Sequence, residues 1–178
     1  MVTPRALHER AMRVRLVLTD NDGVLTDGGV YYSSRGEVMK RFDVRDGMGV
    51  ELLRQAGIET GIVSRERSRS LAKRAEKLRI RLLFLGVEDK AKRLPDILAA
   101  AGVSPSEVAY IGDDVNDLGI IEAVGLEGLT GAPANAVPSV AQAVHHRGAT
   151  DGGHGAFREF ADWLLAERAK PGGGRRES

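Results

Sequence analysis

The chain has 178 residues, enough for one domain with a sizeable core, and its 42% hydrophobic and 29% charged residues are an ordinary globular balance. Twenty-six basic against 25 acidic residues give a formal charge of +1, so no bulk electrostatic attraction to nucleic acid or to an anionic membrane is expected. The absence of cysteine excludes disulfides, thiolate metal sites and cysteine nucleophiles, and fits a reducing cytoplasm.

Residues 1–14 carry several arginines but no uninterrupted apolar segment, and read as an N-terminal extension without an export signal. From residue 15 to 169 short apolar runs alternate with helical patterns. The runs are Leu16 to Leu18, Gly61 to Val63, Leu82 to Leu85 and Val108 to Ile111. The helices are expected at Gly47 to Ala56, Arg67 to Leu78, Lys90 to Ala101 and Val115 to Val124, with Gly57 and Gly102 as C-terminal caps. Runs that are apolar throughout suit parallel strands covered on both faces, so the fold class is α/β, a Rossmann-like three-layer sandwich around a parallel sheet.

Between the first run and the first helix, Val30 to Tyr32 and Val38 to Phe42 flank the turn-forming Ser33, Ser34, Arg35 and Gly36, which predicts a β-hairpin flap. The insertion is too short for a cap domain, so this flap or another subunit must cover any site beneath it. Two more short strands are expected near Leu126 to Leu129 and Ala143 to His146, then a last helix from Ala156 to Glu167. In that helix Phe160, Trp163 and Leu164 read as packing, and Arg158 as an ion-pair partner of a local acid. His145 and His146 read as surface residues rather than ligands. Residues 170–178, rich in Gly and Arg, read as a disordered tail.

In an open α/β sheet, ligands bind beyond the carboxyl ends of the strands, so the residues ending the apolar runs should share one crevice. These are Asp20 and Asp22, then Ser64, then Asp113 and Asp114, with Lys90 opening a helix nearby. So many close carboxylates repel one another unless a cation neutralises them, and oxygen ligands with room for water suit Mg2+. Asp20, Asp22 and Asp113 are the expected metal ligands, with Asp114 and Asp117 in support.

Phosphoryl transfer uses such a set. An in-line carboxylate attacks phosphorus, and cations and donors surround the phosphoryl oxygens. Asp20 is the expected nucleophile. Asp22 would protonate the leaving oxygen and then activate water, while Ser64 and Lys90 would hold the phosphoryl group and Gly23 would let backbone amides approach it. Each residue also has a plainer reading: Asp22-Gly23 as a turn, Ser64 as a helix cap, Lys90 as a surface lysine, and the second acidic cluster as a capped helix start. Their order along the chain is what favours chemistry.

That order, in TDNDGVLTDG, Ser64 of IVSR, Lys90 of EDK and IGDDVND, resembles the four motifs of the haloacid dehalogenase superfamily from about Arg15 to Leu165. KRFDVRDGMG and GGHGAFREF look like the capless phosphatases of 3-deoxy-2-ulosonate phosphates. The resemblance implies a sugar-acid phosphate substrate, a homotetramer whose neighbouring subunit helps cover each site, and substrate contacts from Arg45 and Asp46. Octulosonate 8-phosphate members usually read TGR where this chain has Ser64, Arg65 and Glu66. Glu66 and Lys77 match residues that mark the nonulosonate 9-phosphate branch, so KDN 9-phosphate or N-acetylneuraminate 9-phosphate is the first expectation and the octulosonate 8-phosphate the second. His154 stands where octulosonate members often carry arginine. Two other classes compete. A receiver domain uses similar groups in a different order, and a catalytically silent oligomerisation module would not need all four motifs. A P-loop kinase lacks its glycine-rich signature here.

Overall fold

The computed structural model describes residues 2–170. The stretch read as an extension forms α1 (Pro4–Arg13), started by the Thr3 cap and by Pro4 at its first position. Its Ala11, and Val14 just beyond it, are buried in the core against the last helix, α7 (Ala156–Ala169).

The central sheet comprises β1 (Leu16–Thr19), β4 (Glu59–Ser64), β5 (Leu82–Leu85), β6 (Val108–Ile111), β7 (Leu129–Ala132) and β8 (His146–Arg147). All pairs are parallel, in the order β5-β4-β1-β6-β7-β8. Alternation along β1 sends Val17 to one face and Leu16 and Leu18 to the other. Val17 joins the core under α1, α2 (Val44–Gln55), α3 (Arg69–Leu78) and α7. Leu16 and Leu18 join the core under α4 (Lys90–Ala101), α5 (Leu118–Gly125) and α6 (Pro138–Ala143). The expected three layers are thus present. Burial of a side chain such as Leu53 or Ile62, both without exposed surface, stabilises the fold by about 1.5–3 kcal/mol.

The flap is a two-stranded antiparallel hairpin, β2 (Tyr31–Ser33) and β3 (Gly36–Met39), separate from the main sheet. It supplies the only strands or helices between β1 and α2, so no cap domain sits there. Among the described residues no helix is long and apolar enough to cross a membrane.

Several boundaries differ from expectation for local reasons. α2 begins at Val44 because the Asp43 carboxylate accepts the Arg45 amide and caps it. The cap of α3 is Ser68, not Ser64. Residues 126–128 finish the turn after α5, so the strand expected there starts at Leu129. The strand expected from Ala143 is instead the end of α6, opened by Pro138, followed by the two-residue β8. The expected disorder of the tail falls on residues outside the description, apart from Lys170.

Candidate active site

β1 lies between β4 and β6, so the chain crosses from one side of the sheet to the other around its carboxyl end, which opens a crevice there. A cavity of about 160 Å³ occupies it, lined by Asp20, Asp22, Ser64, Arg65, Glu66, Asp113, Asp114 and Asn116. Six of the expected residues, Asp20, Asp22, Ser64, Glu66, Asp113 and Asp114, therefore meet at one place.

Asp20 follows β1 immediately, and its amide donates to the Ile111 carbonyl of β6 (3.0 Å). The backbone then turns: the amides of Leu25 and Thr26 both donate to the Asn21 carbonyl (2.9 and 3.0 Å). Asp20 and Asp22 therefore do not continue a strand with their carboxylates side by side. Asp20 faces Lys90, whose ammonium is 2.9 Å from its Oδ1. Asp22 turns to Lys40, whose ammonium donates to its Oδ1 at 2.6 Å. The oxygen cluster suited to a cation accordingly consists of Asp20, Asp113 and Asp117, all within 4.8 Å of one another, and the Asp22 carboxylate, expected among the ligands, stands outside it.

Within that cluster the three carboxylates differ. Asp117 is fully buried, and both of its oxygens are engaged: Oδ1 accepts from Lys90 (2.6 Å) and Tyr110 (2.7 Å), Oδ2 from the amides of Asp113 (2.9 Å) and Asp114 (3.4 Å). It anchors Lys90 and the loop after β6. Asp114 caps its own turn through the Val115 amide (2.7 Å). Asp113 Oδ1, by contrast, is buried without a hydrogen-bond partner.

Electrostatics point the same way. Burial, opposed by Lys90 and reinforced by Asp117, pushes Asp20 up to about 7. Burial together with Asp20, Asp117 and Asp114 pushes Asp113 up to about 8. Burial alone would lower the Lys90 ammonium, but Asp20 and Asp117 outweigh it and raise its pKa. An orphaned buried carboxylate oxygen beside a second reluctant carboxylate fits a hard divalent cation, which removes both penalties at once.

Glycine permits the close packing this requires. A Cβ on Gly23 (φ +87°) would lie 1.9 Å from Asp113 Oδ2, and one on Gly152 would lie 1.8 Å from the Gly23 carbonyl oxygen. The GGHG segment thus props the loop after β1 with its backbone. His154 is exposed, its Nδ1 2.9 Å from the Gly152 carbonyl. Ser64, at the end of β4, is buried, and its Oγ accepts the Glu66 amide (3.2 Å).

Three expected substrate contacts lie elsewhere in this chain. Arg45 is committed to Asp43 (2.9 Å) and the His154 carbonyl (2.5 Å). Asp46 is buried beneath the Arg158 amide (3.0 Å). Lys77 sits eight positions into α3, roughly 12 Å of helix rise from its start, in a separate depression with Glu51 and Arg54. The local ion pair expected for Arg158 is present, with Asp162 at 2.8 Å. His145 bonds Thr130 (2.8 Å) and His146 stacks on Trp163 at 4.4 Å, so both histidines are half-buried structural residues. Sequence reading missed Arg65 and Asn116 at the cavity wall, Tyr110 behind it, and Lys40.

No family model matches the chain. It is 40% identical over 164 residues to the 3-deoxy-D-manno-octulosonate 8-phosphate phosphatase KdsC of Haemophilus influenzae, covering 92% of this chain and 89% of that one. The cobalt-bound structure of the Haemophilus influenzae phosphatase superposes with a TM-score of 0.85 at 41% identity, covering 90% of this chain and 92% of that one. The Moraxella catarrhalis 3-deoxy-D-manno-octulosonate 8-phosphate phosphatase, solved with magnesium, phosphate and KDO, gives a TM-score of 0.84 at 31% identity over 91% of each chain. Likeness of this extent, over nearly the full length of both chains, makes the chain a phosphoric monoester hydrolase belonging to the capless KDO 8-phosphate phosphatase family of the haloacid dehalogenase superfamily.

Proposed function

We propose that the chain hydrolyses 3-deoxy-D-manno-octulosonate 8-phosphate, through an aspartyl phosphate on Asp20 and with Mg2+ as cofactor. The observation that carries the substrate is the name shared by its relatives, which speaks for eight carbons where Glu66 and Lys77 pointed to nine. Lys77 lies away from the cavity in this chain, which removes half of the nine-carbon argument. Glu66 at the cavity wall keeps the other half.

In this reading Asp20 and Asp113 hold the cation, which when bound offsets charge on the phosphoryl oxygens. An Asp20 oxygen attacks phosphorus in line. The bond from phosphorus to the sugar oxygen breaks, and that oxygen takes a proton from Asp22. Water then attacks the aspartyl phosphate, giving a proton back to Asp22, and the bond from phosphorus to Asp20 breaks. The sum is phosphate ester plus water going to alcohol plus inorganic phosphate. Ser64 borders the phosphoryl position and supplies a donor to its oxygens, while Lys90, 2.9 Å from Asp20, sets its positive charge behind the nucleophile. A 160 Å³ cavity, about five times the ~30 Å³ of a water molecule in the liquid, suits the phosphoryl group and leaves the sugar acid outside it.

A phosphate-release panel tests the substrate. With Mg2+, kcat/KM is expected to be highest on the octulosonate 8-phosphate and at least about tenfold lower on KDN 9-phosphate and N-acetylneuraminate 9-phosphate, the discrimination that 1.4 kcal/mol gives. The reverse order would return the chain to the nine-carbon substrates and leave the chemistry at Asp20 intact.

A further inference from the structure

We propose that Lys40 of the flap is a positioning residue for Asp22, acting on cleavage of the ester bond through that carboxylate alone. The inference rests on reading Asp22 as the group that protonates the leaving oxygen. Lys40 follows β3 directly, yet its side chain is only 1% exposed, too deep to touch a substrate. A lysine is rarely buried unless its charge is paired. Here the ammonium lies 2.6 Å from Asp22 Oδ1 and 3.5 Å from Glu37 Oε2.

Three donors converge on that one oxygen of Asp22: the Lys40 ammonium at 2.6 Å, the Asn21 amide at 2.9 Å and, more loosely, the Thr26 hydroxyl at 3.4 Å. None of the described hydrogen bonds reaches Oδ2. The arrangement fixes the carboxylate by its inner oxygen and leaves Oδ2 free on a group that borders the cavity. The strongest of the three donors comes from the flap.

Lys40 is itself held in place. Glu37 Oε1 accepts the hydroxyl of Ser68 at 2.5 Å, and the same Ser68 oxygen caps α3 by accepting the Leu71 amide at 3.2 Å. Ser68, Glu37, Lys40 and Asp22 thus form a polar chain from the start of α3, across the flap, to the loop after β1. The flap is more than a cover. It sets the orientation of Asp22, so a displaced flap leaves the nucleophile in place and the proton donor misaligned.

Leaving-group dependence separates this role from general support. A sugar alkoxide needs a proton to depart, whereas p-nitrophenolate leaves without one. The constant kcat/KM covers the steps through departure of the alcohol and omits hydrolysis of the aspartyl phosphate. For Lys40→Met, kcat/KM on the octulosonate 8-phosphate is expected to fall at least about tenfold, part of the ~10²–10⁴ that general acid catalysis supplies, and on p-nitrophenyl phosphate by less than about threefold. Asp20→Asn should remove activity on both substrates, and Asp22→Asn should show the same selective loss as Lys40→Met. An Asp22→Asn variant that does not discriminate overturns the reading of Asp22. Discrimination by Asp22→Asn, with Lys40→Met lowering both substrates alike or neither, overturns the role of Lys40 and spares that reading. Thermal unfolding checks each variant. A Lys40→Met protein that does not fold passes the test to Lys40→Gln, which keeps a donor without the charge and is held to the same selective loss.

Discussion

Asp113 shows at the scale of one residue how this site is balanced. Its carboxylate is pressed against Gly23, has one buried oxygen without a partner, and faces Asp20 and Asp117. Without a cation, burial and these neighbours hold Asp113 near 8, and burial holds Asp20 near 7. A divalent ion needs both groups as carboxylates, so below those values its binding must displace their protons. Apparent Mg2+ affinity is therefore expected to rise as pH increases from about 6 to about 8 and to level off above, with between about one and two protons released per ion at pH 6.5. Calorimetric titration in two buffers of different ionisation heat reads that number directly. Affinity that does not change with pH, with no proton release, would show that these carboxylates are already ionised without the metal.

At the scale of elements, α2 and α7 are joined by a cap supplied in trans. The N-cap position of α7 is Gly155, which offers no side chain, and the amide of Arg158 in its first turn is satisfied by Asp46 of α2. Burial is the main cause that pushes Asp46 up to about 6, opposed by that amide. An acid whose folded pKa lies above its unfolded value keeps its full contribution below the unfolded pKa and loses it as pH rises through the folded one. From pH 4 to 6 the native protein should thus lose up to about 3 kcal/mol through this group, at 1.36 kcal/mol per pKa unit. In Asp46→Asn that part of the slope should vanish, as read from urea unfolding at a series of pH values. Identical pH profiles for the two proteins would mean that Asp46 is ionised at no cost.

The same elements show what sequence can reveal. The ends of β1, β4 and β6 were legible because a polar residue that terminates an apolar run in a parallel sheet has one place to go, the crevice at its carboxyl edge. Helix α1 carried its own signal, Thr3 before Pro4, but its arginines masked an apolar face only the last helix reveals. Arg45 and Asp46 were expected at the substrate from the resemblance, and sequence gives no sign that Arg45 pairs with Asp43 and the His154 carbonyl or that Asp46 accepts the Arg158 amide. Lys40 was illegible for a related reason: in a hairpin a lysine reads as exposed, and only the tertiary placement of the flap over Asp22 buries it.

For the whole molecule, two facts converge on assembly. The hairpin and the start of α2 expose large apolar side chains, with Tyr32 at 71%, Val38 at 58% and Val44 at 80% of full exposure, a concentration that in soluble proteins marks an interaction surface. The cavity of about 160 Å³ lies below the ~300 Å³ typical of a small-molecule site, so on the proposed reading one chain has room for the phosphoryl group and leaves the sugar acid outside. A homotetramer that buries the hairpins would resolve both, by covering the apolar patch and walling in the sugar. Sedimentation is expected to give a tetramer. The double variant Tyr32→Arg, Val38→Glu should shift it to smaller species, since two charges would have to be desolvated at the contact. Asp20, Asp22, Ser64 and Asp113 at the phosphoryl cavity are supplied by a single chain. The variant should therefore keep kcat/KM on p-nitrophenyl phosphate within about threefold, while KM for the sugar-acid phosphate rises at least about tenfold, the 1.4 kcal/mol that a few lost contacts amount to. A wild-type monomer with undiminished KM for the sugar acid would place the whole substrate site within a single chain.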